Sequence, residues 1–169
     1  MQYDLTNNIT SINTKGSAIF GVFDDLNTKG LVKSLDSKDI GNIKDIIKKS
    51  SFEGKIGQSL CIYDALNSKL EKIYLVGLGK KNKYSEKNFL KAVNYASQIC
   101  KKENLKNIFL GLDTFIINKT INIDWAIRNI SIQINGIDYV YNETKNKTKT
   151  KTKDIYKPNK VFFICASVA

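Results

Sequence analysis

Apolar residues along this chain fall into short continuous runs separated by longer stretches with helical spacing. Ser17-Ala18-Ile19-Phe20-Gly21-Val22-Phe23 is such a run and reads as a strand buried on both faces. Asp24-Asp25 ends it, and Asn27-Thr28-Lys29-Gly30 reads as a turn. Before it, Tyr3 to Ile12 has room for a first short strand. Asp39, Ile40, Ile43, Ile46 and Ile47 then recur at helical spacing, with lysines on the opposite face. Asp36 or Ser37 is placed to cap that helix, and Ser50-Ser51 closes it.

The loop Phe52 to Gly57 leads into a strand, Ser59-Leu60-Cys61-Ile62-Tyr63. Asn67-Ser68-Lys69 reads as a turn into a second strand, Lys72 to Leu78, rich in β-branched and aromatic residues. Ser85 stands where an N-cap belongs, with Glu86 in the first turn, and a helix follows to about Lys102. Its apolar face is Phe89, Val93, Ala96 and Cys100, helped by Leu90 and Ile99. Asn107-Ile108-Phe109-Leu110-Gly111-Leu112 predicts another strand. Asp124 is a cap candidate for a helix carrying Trp125, Ile127, Ile130, Ile134 and Ile137, although its β-branched content opposes helix formation. Lys160-Val161-Phe162-Phe163-Ile164-Cys165 predicts a last strand.

Strands alternating with helices place the chain in the α/β class, with a mostly parallel or mixed sheet flanked by helices. Between the last helix and the last strand, Thr144 to Lys153 alternates lysine with threonine or asparagine and offers no apolar face. That composition predicts a solvated loop or linker. The expected organisation is therefore a domain over 1–143, a lysine-rich linker over 144–159, and a strand over 160–169 leading toward a further domain.

Composition adds limits. The chain has 169 residues, 42% hydrophobic and 25% charged, enough for one domain with its own core. No run approaches the roughly 18 apolar residues of a membrane span. Met1-Gln2-Tyr3-Asp4-Leu5 lacks the basic start and apolar stretch of a signal peptide, so a cytoplasmic location is the default expectation. The net charge of +11 comes from 27 Lys+Arg against 16 Asp+Glu. Such a balance raises a nucleic-acid-binding module as an alternative function, with DNA as a possible partner. Arg128 is the only arginine, however, and lysine supplies a point charge rather than a bidentate contact. A solvated lysine surface accounts for the same composition.

Candidate chemistry is sparse. With no histidine, Ser-His-Asp and Cys-His arrangements are excluded within the chain, as is the commonest metal ligand. Cys61, Cys100 and Cys165 are far apart, odd in number and set in apolar runs, which predicts buried structural thiols. Asp24-Asp25 is the only tight acidic pair and reads as a solvated turn before it reads as a metal site. Gly77-Leu78-Gly79 follows a strand and precedes a helix, where a phosphate loop would sit. No third glycine opens the helix and no Walker pattern is present, so turn and close-packing roles are the better reading. Trp125, Tyr139 and Tyr141 read as packing residues rather than stacking platforms for bases or sugars. The lysines of 145–153 are another candidate polyanion contact, against a solvated linker.

Four stretches together resemble the amino-terminal domain of the leucine aminopeptidase (cytosol aminopeptidase) family. The most specific is Phe52-Glu53-Gly54-Lys55-Ile56-Gly57-Gln58-Ser59-Leu60, followed by Lys72-Ile73-Tyr74-Leu75-Val76-Gly77-Leu78-Gly79-Lys80. Gly21-Val22-Phe23-Asp24 with Leu35-Asp36 is similar to the family's early strand and the helix that follows, and Asn135-Gly136-Ile137-Asp138-Tyr139-Val140-Tyr141 with Lys145 to the end of the domain's last helix. The resemblance implies a macro-domain-like fold and a parent enzyme that is a hexameric metallo-exopeptidase acting on peptide N-termini. It implies a dinuclear zinc or manganese site in a separate catalytic domain that carries an Asn-Thr-Asp-x-Glu-Gly-Arg signature. No such signature stands here, so no catalytic, cofactor-binding or metal residue is carried over to any position. The implied role is assembly and control of access to the active site, with the catalytic domain and other subunits as partners. A macro-like fold also raises ADP-ribose as a ligand, but the asparagine-rich and glycine-rich loops of such binders are missing.

Overall fold

The computed structural model describes residues 1–7, 9, 12–28, 31, 35, 37–63, 70–116, 121–136 and 156–165. Six strands form one sheet in the order β1-β6-β5-β2-β4-β3. They are β1 (Gln2–Thr6), β2 (Gly16–Phe23), β3 (Ser59–Tyr63), β4 (Leu70–Gly79), β5 (Asn107–Gly111) and β6 (Lys160–Ile164). All neighbours run parallel except β3, which lies antiparallel on β4 at one edge. The helices are α1 (Ser37–Lys49), α2 (Glu86–Lys102), a single turn α3 (Leu112–Phe115) and α4 (Ile123–Gly136). The expected α/β class and mixed sheet are what the chain adopts.

The pleat divides the apolar residues of the sheet between two cores. On one face Ile19, Tyr74, Val76, Leu78, Ile108, Leu110, Val161 and Phe163 meet α2 and α4 through Phe89, Val93, Ala96, Ile130 and Ile134. On the other face Ala18, Phe20, Val22, Ile73, Leu75, Phe109 and Phe162 meet Ile43 and Ile47 of α1. Every residue of β2 is buried, as its unbroken apolar run requires of a central strand.

Several expectations need correction. The short first strand that Tyr3 to Ile12 has room for is Gln2–Thr6. Asp124 does not cap α4; it sits in the first turn. The cap is Asn122, whose Oδ1 accepts the N–H groups of Asp124 (2.8 Å) and Trp125 (3.2 Å). Ser85 does hold the N-cap position of α2, but its hydroxyl makes no capping bond. The β-branched content of α4 did not prevent its forming, because Ile130 and Ile134 are buried on the sheet. α1 begins at Ser37, and the cap candidate at position 36, the expected turn at 67–69 and the stretch 137–155 lie outside the described residues.

The last strand, Lys160–Ile164, lies inside the sheet, parallel to both β1 and β5. The end of the expected linker is also packed down. Tyr156 is buried and its hydroxyl donates to the Leu105 carbonyl at 2.7 Å. Asn159 N–H donates to the Lys106 carbonyl at 2.8 Å.

Candidate functional site

Ligands of parallel α/β sheets gather outside the carboxyl ends of the strands, where neighbouring crossovers leave in opposite directions. Here that place lies between β2, whose next helix packs on one face, and β5, whose next long helix packs on the other. The two strands pair only from Ser17 to Ile19 with Ile108 to Leu110 and then diverge. Thr114 of α3 fills the gap. Its Oγ accepts the Gly21 N–H at 2.8 Å and donates to the Gly111 carbonyl at 2.6 Å. Gly111 itself packs against the ring of Phe20, where a Cβ would collide.

The Phe52–Gln58 loop closes the neighbouring end of β4. Gly54 at φ +68° lies against the Phe23 carbonyl, and its own carbonyl accepts the Gly79 N–H at 2.8 Å. Gly79 in turn accepts from Asp24 N–H at 3.1 Å. A Cβ on Gly77 would run into the carbonyl of Lys55. The Gln58 side chain, which sequence reasoning passed over, holds the loop together: its Oε1 accepts the Glu53 and Lys55 N–H groups at 3.1 and 3.2 Å. Gly77 and Gly79 thus serve a close approach and a turn, as their spacing implied. Asp25 Oδ1 accepts the Asn27 N–H at 3.0 Å, so the acidic pair shapes a turn.

A second cluster lies on the α2 face near β3. Lys72 Nζ is 3.1 Å from Glu103 Oε2, and the Tyr74 hydroxyl donates to the same oxygen at 3.2 Å. These two donors hold the Glu103 carboxyl below its ordinary range, while the bond to Glu103 raises Lys72. Burial, then Cys61 and Glu103, push the Tyr74 phenol well upward. Lys72 also stands over the Tyr63 ring at 5.2 Å. Cys61 is half-exposed, against the expectation of three buried thiols, whereas Cys100 and Cys165 are buried. Burial pushes the Cys100 thiol up to about 12. Cys165 Sγ donates to Asp113 Oδ1 at 3.1 Å. The buried Tyr84 hydroxyl has no hydrogen-bond partner among the described residues, its ring is edge-on to Phe23 at 5.0 Å, and burial raises its pKa. Trp125 packs against Phe89 at 5.4 Å, as expected of a core aromatic; Tyr139 and Tyr141 lie outside the described residues.

Among the described residues no three His, Cys, Asp or Glu side chains come together as a metal set. No helix among them is long and apolar enough to cross a membrane. Among the described residues the surface carries a lysine strip: Lys80, Lys81 and Lys83 before α2, and Lys87 and Lys91 in its first turns, are exposed, the last two lining, with Glu86, an open hollow of about 540 Å³ between α2 and α4.

Comparison with known proteins places these features in context. Residues 19–148 match the profile described as "Cytosol aminopeptidase family, N-terminal domain". A probable cytosol aminopeptidase of Blochmanniella floridana is 31% identical over 137 residues, which are 81% of this chain and 27% of that protein. A tomato leucine aminopeptidase mutant superposes with TM-score 0.63 at 15% identity, over 100% of this chain and 33% of that one. The macrodomain of Thermus aquaticus DarG superposes with TM-score 0.60 at 6% identity, over 96% of this chain and 97% of its own. At those identities the two structures speak for the fold alone. The chain spans about three-tenths of the length of the curated relatives it matches, 27%, 32% and 28% for the first three.

Proposed function

This chain belongs to the cytosol aminopeptidase family as its N-terminal domain, and on that premise we propose that it is the non-catalytic part of a leucyl aminopeptidase. The observation that carries the reading is where the match falls: on the family's N-terminal domain, over 19–148. In this role the domain supports hexamer assembly and limits access to the active site. The proposed domain runs from β1 through β6, because β6 completes the sheet between β1 and β5. The parent enzyme removes N-terminal residues from peptides in the cytoplasm, using a dinuclear zinc or manganese centre. The described residues of this chain do not fit that centre, since they offer no grouped ligands, so no step of hydrolysis is assigned to them. In the parent, the metals would activate the attacking water.

The pure chain, assayed on leucine p-nitroanilide with manganese, is expected to release no p-nitroaniline. Metal-dependent turnover by the chain alone would overturn the reading.

A second reading, a nucleic-acid-binding module, draws on the lysine strip from Lys80 to Lys91. None of these five lysines has a carboxylate partner among the described residues. Duplex DNA binding through such a strip would weaken steeply with salt, as condensed counterions are released. A salt-independent gel shift, or none at low salt, rejects it.

A further inference from the structure

Among the described residues, the outer edge of β3 is left with unmade main-chain hydrogen bonds. The Gly77 N–H donates to the Gln58 carbonyl at 2.9 Å, which fixes the phase of the antiparallel pair. Gln58, Leu60 and Ile62 therefore turn their main-chain groups inward to β4, and Ser59, Cys61 and Tyr63 turn theirs outward. Among the described residues no main-chain hydrogen bond reaches those outward groups.

Sheet edges are ordinarily blunted by lysine, proline, a bulge or a covering element. Ser-Leu-Cys-Ile-Tyr carries no charge and no proline, its register with β4 is unbroken, and Tyr63 is 59% exposed. In a chain of net charge +11, two lysines beside this strand are each paired with a carboxylate. Lys72 is paired with Glu103, and Lys55 with Glu53 at 2.6 Å. Two copies meeting along β3 thus avoid setting lysine against lysine, which the strip from Lys80 to Lys91 does not.

We propose that β3 is a homotypic docking edge: a second copy of this chain pairs its own β3 antiparallel, about a two-fold axis at Cys61. Such an interface is self-complementary, as two-fold symmetry demands. It sets Cys61 opposite its counterpart and Ser59 opposite Tyr63 of the other copy. Facing residues that exchange both hydrogen bonds have Cα atoms about 5.5 Å apart, within reach of a disulfide or a short cross-linker. The inference deepens the assembly role proposed above and rests on it.

Sedimentation equilibrium of the full chain across protein concentration tests it, alongside S59P and Y63K. S59P removes an outward N–H at a position where an edge strand tolerates proline. Y63K adds the missing edge charge at an exposed site; because it also removes the ring under Lys72, circular dichroism verifies that the variant is folded. A short bis-maleimide joins Cys61 to Cys61 only if the axis lies there. The expected result is a dimer favoured by added salt, cross-linked through Cys61, and lost in both variants with unchanged circular dichroism. A chain that stays monomeric overturns the edge. So does an oligomer that survives in folded S59P and Y63K, or one that gives no Cys61 cross-link. An oligomer that ignores both variants leaves the assembly role standing and removes only β3 from it.

Discussion

At Gly77 and Thr114 single atoms decide whether the strand ends fit together. Gly77→Ala drives a methyl into the Lys55 carbonyl. The expected loss is about 1–3 kcal/mol of stability, since the obstacle is backbone and gives way poorly. Denaturant unfolding followed by circular dichroism measures it. Thr114→Val removes the hydroxyl set between Gly21 N–H and the Gly111 carbonyl. Leaving those buried groups unpaired is expected to cost about 1–3 kcal/mol, and Thr114→Ser should recover most of it. If valine and serine behave alike, the hydroxyl is not what holds β2 to α3. The glycine roles were legible in the sequence because two glycines flank one residue at a strand end. Thr114 was not legible: its partner Gly21 lies 93 residues away, and nothing local marks it.

At the scale of elements, α2 and α4 show how far local signals reach. Both were expected from helical spacing, and both formed. The caps differ, because capping depends on side-chain geometry as well as residue type. Asn122→Ala should therefore cost about 0.5–2 kcal/mol through loss of two accepted N–H bonds. Ser85→Ala should stay within about 0.5 kcal/mol, as a surface change that breaks no cap. Chemical denaturation of the two variants side by side checks the contrast; equal losses would refute it. The turn α3 escaped notice because four residues, Leu112 to Phe115, are too few to show a period. The placement of β6 escaped for another reason. A lysine-rich stretch before a strand reads the same whether the strand leaves the domain or returns to its sheet.

For the whole molecule, the titrating groups make alkaline pH the vulnerable side. Tyr74, Tyr84 and Cys100 are held protonated chiefly by burial, and Lys72 by its bond to Glu103. Each has a higher pKa folded than unfolded. The stability they contribute is intact below their unfolded values, about 8.5 for the thiol and about 10 for the phenols and lysine. It is lost as pH rises through that range toward the folded values. Absorbance at 295 nm is expected to show Tyr74 and Tyr84 ionising only as the protein unfolds. Smooth ionisation of all eight tyrosines near pH 10 in the folded chain would refute this. Glu103 and Glu53 act on the acid side, each lowered by a lysine partner. Their contribution is present above about pH 4.3 and fades as pH falls below it. Both pairs are partly exposed and screened by solvent, so this acid effect is the weaker one.

The sequence by itself determined the elements, the class and the family. Those reside in local spacing and in stretches such as Phe52 to Leu60, where turn glycines and strand residues follow one another within one short run. Tertiary structure alone decided that β1 and β6 meet at the far side of the sheet, that Thr114 seals the strand ends, and that β3 is left as an edge. Strand order and the partners of outward-facing groups depend on contacts between distant residues. A hydrophobic period records which face of a strand is buried, and carries no mark of the neighbour that buries it.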